Sequence, residues 1–384
     1  MALYLIKLSP IGDFFFGGEN TFGKSGNDKN RRTNYLVHST KFPQQTTILG
    51  MLRKELLIQS GIFKESLEEY KPEDIKKMKE LIGNSSFKIE AKDNTSNDFG
   101  KINGISPIFF INEKEEIILN LPKDQSHANK KEYIPFNLCK VDGKSSLSNR
   151  KLYTLKAEYN NTTYKYDAKN GLYNKFVNIE TKEIMNEDDI FTDITRVGNQ
   201  KNNHKDSNRD DGFYKLTSYN LKKNINFAFV IDCDFNLENS IITMGGLQST
   251  FRMSCEKLNK QSNNKSIDMW IEDNISKSKF FTEVFRNNDN KIVFISPSYL
   301  NRKGRDIPDF SIATNITFRN METTLGRNGR VKWINKKYNF IDRGSVFFID
   351  EDKEKKVTHL LEENQYMRKV GYNYFIRGEY KNEK

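Results

Sequence analysis

The chain has 384 residues and a formal net charge of +11, from 62 Lys and Arg against 51 Asp and Glu. This length exceeds one typical domain of roughly 100–200 residues. The 28 Phe and 17 Tyr supply apolar surface for a core, which excludes a fully disordered chain, and the varied sequence excludes collagen, coiled coil and low-complexity fibre. The basic excess suits a polyanionic partner without establishing one.

Cysteine usage and the amino terminus indicate the compartment. Cys139, Cys233 and Cys255 lie far apart without a Cys-x-x-Cys motif, which argues against a disulfide framework or a zinc site and fits a reducing compartment. The first residues lack the charged region and cleavage site of a signal peptide. No run of 18 apolar residues occurs, so we expect no membrane span. We therefore expect a soluble, cytoplasmic protein.

The first half of the chain contains a well-defined helix. Pro43 blocks a helix before it, Thr46 or Thr47 can cap, and Ile48 and Leu52 begin an apolar stripe that continues at Leu56. In chain order, patterning predicts a buried strand at 3–8, a Phe- and Gly-rich loop at 14–32, this helix at 46–58, a helix at 73–82, strands within 105–121, a polar insertion with β-hairpins at 122–195, and a charged loop at 196–212.

The second half also mixes strands with helices. Its predicted elements are a strand at 225–235, a glycine loop at 244–254, a helical segment at 266–285, a strand at 292–296, a basic stretch at 302–337, a strand at 345–349, a helix at 357–361 and an aromatic stretch at 372–376. This order predicts an α+β fold with two related sheet domains rather than strict βα alternation. We place the domains at 1–215 and 216–384.

The sequence contains no recognisable catalytic motif. Asp232 and Asp234 would point to the same face of a strand and could hold Mg²⁺, but a third acidic ligand with recognisable spacing is missing, and a solvent-exposed strand end explains the pair equally well. His38 follows the Gly-rich loop, where a general base for RNA cleavage could sit, although an ordinary loop histidine explains it too. We predict no metal site, no cofactor and no catalytic residue.

Binding features are stronger. Residues 302–337 carry nine basic residues against three acidic ones, with interspersed glycines and Trp333. Basic side chains contact phosphates, glycine permits close approach of the backbone, and aromatic rings stack on unpaired bases. A Met-Gly-Gly loop at 244–246 could present backbone N–H groups to an anion, although most Gly-Gly pairs are simple turns.

The order of these motifs resembles that of the RAMP (repeat-associated mysterious protein) subunits of type III CRISPR effector complexes. Within that group the sequence is most similar to the type III-B, Cmr-type subunit that holds the 5′ handle of the CRISPR RNA (crRNA). The motifs that carry the resemblance are LSPIGDFFFGGENTFG at the start, PQQTTILGMLRKELL, Gly-x-Ser-Pro at 104–107, Leu-Pro-x-Asp at 121–124, Arg-Val-Gly at 196–198, Asp-Gly-Phe-Tyr at 211–214, Met-Gly-Gly at 244–246 and Arg-Gly-Ser-Val-Phe-Phe at 343–348.

The resemblance implies two ferredoxin-like (RRM-like) domains, with the insertion at about 122–195 forming a β-hairpin thumb. It implies a non-catalytic subunit that caps the crRNA 5′ handle and contacts target RNA indirectly. The implied partners are the large polymerase/cyclase-domain subunit and the backbone RAMP subunit, in an antiviral ribonucleoprotein complex.

The predicted RNA-binding residues come from two sources. The resemblance supplies those of the first helix, the Arg-Val-Gly loop and the glycine loop, and the charge pattern supplies the rest. They are Thr46, Thr47, Arg53, Arg196, Gly198, Gly245, Gly246, Arg252, Arg327, Arg330 and Lys332. Phe16 and Phe22 are candidate stacking platforms, although each is more typical of a core.

Three alternatives stay open at the level of sequence. The Csm-type (III-A) handle subunit shares several of these motifs. A RAMP endoribonuclease that processes crRNA precursors would use the same fold, but the dense C-terminal glycine-rich loop of such enzymes is missing, since Gly371 and Gly378 are isolated. A protein-only scaffold would be favoured if the basic stretch packed against a protein partner.

Overall fold

A computed structural model describes residues 2–18, 36–65, 69–83, 86–89, 98–127, 133–144, 151–166, 174–199, 213–258, 266–286, 290–325 and 331–378. The strands of these residues are β1 (Ala2–Pro10), β2 (Leu36–His38), β3 (Ile102–Ile105), β4 (Phe109–Ile111), β5 (Ile117–Asn120), β6 (Gln125–His127), β7 (Tyr133–Pro135), β8 (Asn137–Lys144), β9 (Lys151–Tyr159), β10 (Thr162–Lys165), β11 (Phe176–Asn178), β12 (Ile184–Met185), β13 (Phe191–Asn199), β14 (Phe213–Leu221), β15 (Asn226–Cys233), β16 (Ser240–Thr243), β17 (Thr250–Lys257), β18 (Lys291–Phe294), β19 (Phe310–Ile312), β20 (Asn315–Leu325), β21 (Val331–Ile341), β22 (Val346–Phe348) and β23 (Phe375–Arg377).

The helices are short apart from three. They are α1 (Gln45–Gln59), α2 (Pro72–Ile82), α3 (Glu187–Ile190), α4 (Ile267–Ile271), α5 (Lys279–Val284), α6 (Arg302–Arg305), α7 (Glu351–Glu363) and α8 (Gln365–Lys369), with a π-helical turn (Glu272–Ser276) between α4 and α5. The predicted mixture of helices and strands is confirmed. Across the described ranges, no helix is long and apolar enough to cross a membrane.

The largest sheet has the order β12-β11-β5-β4-β15-β1-β17-β16, with β3 also paired to β15. Its central strand β1 pairs antiparallel with β15 on one side and β17 on the other. The predicted domain boundary between residues 215 and 216 falls inside β14, and β15 and β17, which follow it, share a sheet with β1, which precedes it. The division into two domains stays a prediction.

Both faces of the large sheet are buried. Along β1, alternate residues Tyr4, Ile6 and Leu8 join the apolar cluster that contains the α1 stripe, while Leu3 and Leu5 join the cluster on the other face. This alternation follows from the two-residue period of a strand. Ile48, Leu52 and Leu56 are all fully buried, so the apolar stripe predicted for the first helix is confirmed.

The second sheet has the order β19-β22-β18-β23. The apolar cluster that contains Leu3 and Leu5, here called the second core, lies between this sheet and the large sheet. Val293 and Phe348 face that core together with Trp270, whereas Phe294 and Phe347 face α7 through Val357 and Leu361. The described residues therefore stack as α1, the large sheet, the second core, the second sheet and α7.

A fully buried ion pair ties the polar region after β5 to the second sheet. Lys291 Nζ on β18 donates to Asp124 Oδ2 at 2.6 Å, and both side chains are 0% exposed. Asp124 Oδ1 also accepts from Gln125 Nε2 at 3.0 Å. Breaking such a pair would leave one buried charge uncompensated, so it fixes where the Leu-Pro-x-Asp segment packs.

The remaining strands form small sheets and hairpins. These are the sheets β13-β14-β2 and β10-β9-β8 and the hairpins β6-β7 and β20-β21. The predicted hairpins in the region 122–195 are present, but β11 and β12 of that region add to the edge of the large sheet. In the hairpin β20-β21 the strands pair over eleven residues each, and the hairpin is anchored at its base by the buried Phe318 and Phe340.

Candidate functional site

The segment Asp13–Phe16 connects three of the sequence motifs. Asp13 Oδ1 accepts from Arg196 Nη2 at 2.6 Å, which holds β13. Phe15 O accepts from Gly246 N at 2.7 Å, and Phe15 N donates to Ser249 Oγ at 2.9 Å, which holds the glycine loop. Phe16 O accepts from Thr40 N at 2.9 Å, just before α1. The opening Phe-rich motif therefore positions the others.

The first turn of α1 departs from the prediction in its cap. The helix begins at Gln45, and the N-cap is Gln44, whose side chain makes no capping hydrogen bond. The expectation that Thr46 or Thr47 caps the helix is wrong, because the extended segment ends one residue after Pro43 and the helix starts earlier. Thr46 and Thr47 instead lie in the first turn, where the helix dipole favours a negative charge, although the Thr47 N–H already donates to Gln44 O at 2.8 Å.

A cavity of about 290 Å³, here called the α1 cavity, brings three predicted residues together. Its walls are Gln44, Thr46, Thr47, Leu49, Gly50, Arg53, Ser86, Phe87 and Arg319. Sequence reasoning placed Arg319 in the basic stretch without assigning it to this site. Arg319 lies on β20, far from α1 in the sequence. Periodicity does not predict that a residue so distant in the chain lines this cavity.

Arg53 is held within the α1 cavity by neighbouring groups. Its Nη2 donates to Asp98 O at 2.9 Å, and its guanidinium lies 5.6 Å from the centroid of the Phe99 ring. Burial lowers the pKa of Arg53 to about 10, so the side chain stays positively charged at neutral pH. The charge is therefore fixed in position at the cavity wall.

Gly245 and Gly246 pack directly against the Phe-rich segment. Gly245 has φ +88°, and a Cβ there would come within 2.6 Å of Phe15 O. A Cβ on Gly246 would come within 2.9 Å of the Phe15 ring. Since the Gly246 N–H donates to Phe15 O, it does not face an anion in this structure. The glycines thus permit close packing at this corner.

Arg196 and Gly198 lie in a strand. The predicted charged loop at 196–212 is wrong for its first residues, because β13 runs to Asn199 and pairs along its whole length with β14. Residues 200–212 lie outside the described part of the chain. Arg196 is 56% exposed and pairs with Asp13, whose Oδ2 accepts from Ser218 Oγ at 2.5 Å.

Arg252 lies apart from the α1 cavity. It is exposed on β17, where its neighbours Phe251 and Met253 join the apolar cluster beneath α1. Because side chains alternate along a strand, Arg252 faces the opposite side of the large sheet from α1. The structure therefore groups Thr46, Thr47 and Arg53 but separates them from Arg252.

The remaining predicted residues divide between core and undescribed regions. Phe16 is 3% exposed and packs on Phe251, which confirms the core role expected as more typical and excludes the alternative of a stacking platform. Phe22, Arg327 and Arg330 lie outside the described residues. Lys332 lies on β21 opposite Thr324.

The carboxylates Asp232 and Asp234 are joined through an amide. Asn103 Nδ2 donates to Asp232 Oδ1 at 3.3 Å and to Asp234 Oδ2 at 3.2 Å. Burial raises the pKa of Asp232. In the part of the chain that the structure describes, no group of three His, Cys, Asp or Glu residues could hold a metal ion.

Two further motifs meet at a second cavity of about 380 Å³, here called the central cavity. Lys123 of the Leu-Pro-x-Asp motif donates from Nζ to Arg343 O at 2.8 Å, and its N donates to Gly344 O at 2.8 Å. Arg343 begins the Arg-Gly-Ser-Val-Phe-Phe motif. Sequence reasoning recognised both motifs but assigned neither residue to a site, because their contact spans 220 residues of chain.

A family model for CRISPR-associated proteins matches residues 6–380, nearly the whole chain. The matching family is described as CRISPR-associated protein (Cas_Cmr3), and the chain belongs to it. This confirms the predicted resemblance to a Cmr-type, III-B CRISPR subunit over the Csm-type alternative.

The chain is also similar to solved structures. One is a chain of the cryo-EM structure of the Type III-B Cmr-beta bound to cognate target RNA and AMPPnP, state 1, with 13% identity, 97% of this chain and 95% of that chain covered, and a TM-score of 0.44. Another is from Type III-B Cmr-beta bound to cognate target RNA, with 14% identity, 98% and 96% covered, and a TM-score of 0.44. No curated protein matches the chain.

Proposed function

We propose that the protein is a non-catalytic RNA-binding subunit of a type III-B CRISPR effector complex, in which it caps the crRNA 5′ handle. The observation that carries this proposal is the α1 cavity, where Arg53 and Arg319 flank the first turn of α1 with the hydroxyls of Thr46 and Thr47. Cationic side chains, hydroxyls and a helix N-terminus are the groups that contact phosphates of a single-stranded RNA. Membership of the Cas_Cmr3 family supports the same role.

The fold supports the proposed ferredoxin-like domains. The second sheet has the chain order β18, α6, β19, β22, α7, β23 and the spatial order β19-β22-β18-β23, with every neighbour antiparallel. This order is similar to the βαββαβ arrangement of a ferredoxin-like unit, with the hairpin β20-β21 inserted before its third strand, and it supports the proposal. We extend the proposal to the strands around β1, with the region 122–195 supplying the β-hairpin thumb.

The proposal includes protein partners in the cytoplasm. We propose that the chain docks the large polymerase/cyclase-domain subunit onto the backbone RAMP subunit and meets target RNA indirectly. Strand β16 lies at an edge of the large sheet, with Ile241 69% exposed there and Leu247 62% exposed in the following loop. An open edge with exposed apolar side chains is suited to a protein partner.

The test is binding of a fluorescent RNA that carries the repeat-derived 5′ handle. Arg53→Gln and Arg319→Gln each remove one cation from the wall of the α1 cavity, and Arg196→Ala and Arg252→Ala remove exposed cations outside it, so handle affinity should fall while circular dichroism shows that the fold persists. Each loss of a phosphate contact should lower the salt slope of binding by about 0.7. Arg286→Ala, which removes an exposed Arg that lines neither cavity, is the control. Unchanged affinity in Arg53→Gln and Arg319→Gln would refute the α1 cavity as the handle site, and unchanged affinity in Arg196→Ala and Arg252→Ala would show that these two residues do not contact the handle.

The non-catalytic part of the proposal has its own test. His38 is exposed on β2, in register with Thr217, and is the residue that the alternative endoribonuclease would need as a base. Purified protein should leave repeat RNA intact without metal. Metal-independent cleavage that is lost in His38→Ala would replace the proposed function with crRNA processing.

A further inference from the structure

Strand β16 lies at the end of the large sheet and has one open edge. Within the described ranges, β17 is the only strand that pairs with it. The strand reads Ser-Ile-Ile-Thr, so it carries neither a charge nor a proline, and its register with β17 runs without a bulge. Charges, prolines and bulges are the devices by which proteins keep an edge strand from pairing with another chain. The edge of β16 is therefore unprotected in the isolated chain.

The register shows which backbone groups of β16 face the open edge. Met244 N donates to Ser249 O at 2.9 Å, so this pair is hydrogen-bonded. Thr250 O instead accepts from the N–H of the residue that follows β1, at 2.9 Å, on the other side of β17. Hydrogen-bonded and non-hydrogen-bonded pairs alternate along an antiparallel ladder, so Thr243 and Ile241 belong to non-hydrogen-bonded pairs. The N–H and C=O groups of these two residues therefore point away from β17.

The fold satisfies the backbone just before β16 but not at its open edge. Glu238 N donates to Gln59 Oε1, and Glu238 O accepts from Gln59 Nε2, both at 3.0 Å. Among the residues that the structure describes, no loop or side chain takes the same place beside Ile241 and Thr243. A strand from another chain satisfies such a row of donors and acceptors by adding to the sheet.

Two exposed apolar side chains mark the hairpin β16-β17. Ile241 is 69% exposed, more than any other large apolar residue that the structure describes, and it points away from α1, because its neighbour Ile242 is buried beneath that helix. Leu247 is 62% exposed, with φ +54°, and Gln248 follows with φ +53°. This left-handed region favours Gly and Asn at a hairpin turn. Backbone strain under an exposed leucine is typical of a site that contacts a partner.

A cation lies beside the same edge. Lys54 Nζ donates to Thr243 Oγ1 at 3.3 Å and lies 5.5 Å from the centroid of the Phe63 ring. Phe63 is 39% exposed, and Ile58, one turn after Lys54 on α1, is 45% exposed. A segment beside β16 therefore meets one positive charge and apolar side chains.

The charges argue against a second copy of this chain as the occupant. Pairing of two β16 edges about a two-fold axis would bring Lys54 of one copy toward Lys54 of the other, and each copy carries a net charge of +11. Such like-charge juxtaposition opposes association. RNA supplies negative charge but lacks the alternating amide donors and acceptors that pair with a strand edge. The surface therefore fits a different protein that contributes apolar residues and a carboxylate.

We propose that an extended segment of a different protein chain adds to the large sheet beside β16. The segment forms backbone hydrogen bonds with Ile241 and Thr243, covers the side chains of Ile241 and Leu247, and pairs a carboxylate with Lys54. This inference deepens the partner docking of the proposed function and rests on that part alone, since binding of the RNA handle does not use the edge.

Amide hydrogen exchange tests the backbone pairing. Exchange is followed residue by residue in the full-length chain, alone and in the complex purified from its native cells through a tag on this chain. New strand hydrogen bonds should slow exchange of the Ile241 and Thr243 amides at least about tenfold in the complex. The Ile242 amide, which already bonds to β17, is the internal reference and should change little. Unchanged exchange at Ile241 and Thr243, or a chain that purifies without another protein, would overturn the proposal.

A proline variant tests the outward N–H. Ile241→Pro removes that group and leaves the ladder to β17 intact, because proline is tolerated where the N–H of an edge strand faces outward. The probes are overlapping peptides of about 12 residues, long enough for one strand, from the sequences of the co-purifying proteins. A peptide that carries a carboxylate should bind the unchanged protein and the matched control Ile241→Val, but bind Ile241→Pro at least about tenfold more weakly. Equal binding by Ile241→Pro and Ile241→Val, or no peptide binding at all, would contradict strand addition.

Two further variants test the side-chain contacts. Lys54→Gln should weaken binding of the same peptide about two- to fivefold, as expected for a solvent-exposed ion pair. Leu247→Asn places a residue that tolerates φ +54° at the turn, so the melting temperature of the free chain should equal or exceed that of the unchanged protein while peptide binding falls. A lower melting temperature with unchanged peptide binding would show that Leu247 is structural, and would overturn the contact at the turn.

The remaining measurements separate this inference from the proposed function and from other occupants. Ile241→Pro should bind handle RNA as the unchanged protein does. If the unchanged protein binds no handle RNA while the Ile241 and Thr243 amides are protected in the complex, RNA capping is refuted and strand addition stands. A free chain that is a dimer by light scattering, and a monomer after Ile241→Pro, would place a second copy at the edge and overturn the proposal. Slow exchange of the same amides with handle RNA alone would also overturn it.

Discussion

At the scale of single residues, the glycine loop shows how packing explains a motif that looks like a ligand site. Gly245 combines φ +88° with a Cβ position 2.6 Å from Phe15 O. Gly245→Ala should therefore lower the free energy of unfolding by about 2–4 kcal/mol, from left-handed strain and overlap together. Urea unfolding followed by circular dichroism measures the change.

Gly12 supplies the control for that prediction. A Cβ at Gly12 would meet nothing within 4 Å, and the residue is exposed. Gly12→Ala should alter the free energy of unfolding by less than about 0.5 kcal/mol. Equal stability of the two variants would contradict the packing role of Gly245.

At the scale of elements, the hairpin β20-β21 separates an anchor from a charged end. Phe318 and Phe340 hold its base in the core. Replacing residues 322–334 by Asn-Gly removes Arg327, Arg330 and Lys332 with one Glu. Stability should stay within about 1 kcal/mol, while handle RNA affinity falls and the salt slope drops by about 2.

A variant that changes charge alone tests whether the loss of RNA affinity comes from the shorter hairpin or from the missing basic residues. Arg327, Arg330 and Lys332 changed together to Gln keep the hairpin length and should reproduce the loss of affinity. If the shortened hairpin binds RNA with the original salt slope, the basic stretch does not contact phosphate.

Elements with local signals were predictable, and contacts between distant segments were not. The strands at 3–8, 225–235, 292–296 and 345–349 appear as β1, β15, β18 and β22, and the helices at 46–58 and 73–82 as α1 and α2. The helix at 357–361 is longer than predicted, because Asp350 caps it earlier through a hydrogen bond from Lys353 N.

The candidate site followed the same rule. Thr46, Thr47 and Arg53 share one helix, so a single stretch of sequence brings them together. Arg319 joins them only through the path of a hairpin, and the contact between Lys123 and Arg343 depends on two motifs that meet in space. Periodicity and motif spacing in a sequence do not predict contacts between residues that are far apart in the chain.

At the scale of the whole molecule, the second core joins both sheets into one unit. Trp270 lies in that core and stacks on Phe109 at 5.6 Å. In a Trp333→Phe background, Trp270 is the sole tryptophan. Its fluorescence and the far-ultraviolet circular dichroism should then give coincident urea transitions, as expected for a single cooperative unit. Two separated transitions would show that the sheets unfold independently.

The position of β1 has a consequence for synthesis on the ribosome. It is synthesised before both of its neighbours, β15 and β17, which lie more than 200 residues later in the chain. At roughly 5–20 residues per second, β1 waits about 12–50 s for Lys257 to be added. During that interval a strand that is apolar on both faces stays without its partners. The nascent chain must therefore be shielded from aggregation, and fragments that end before β15 should remain bound to chaperones.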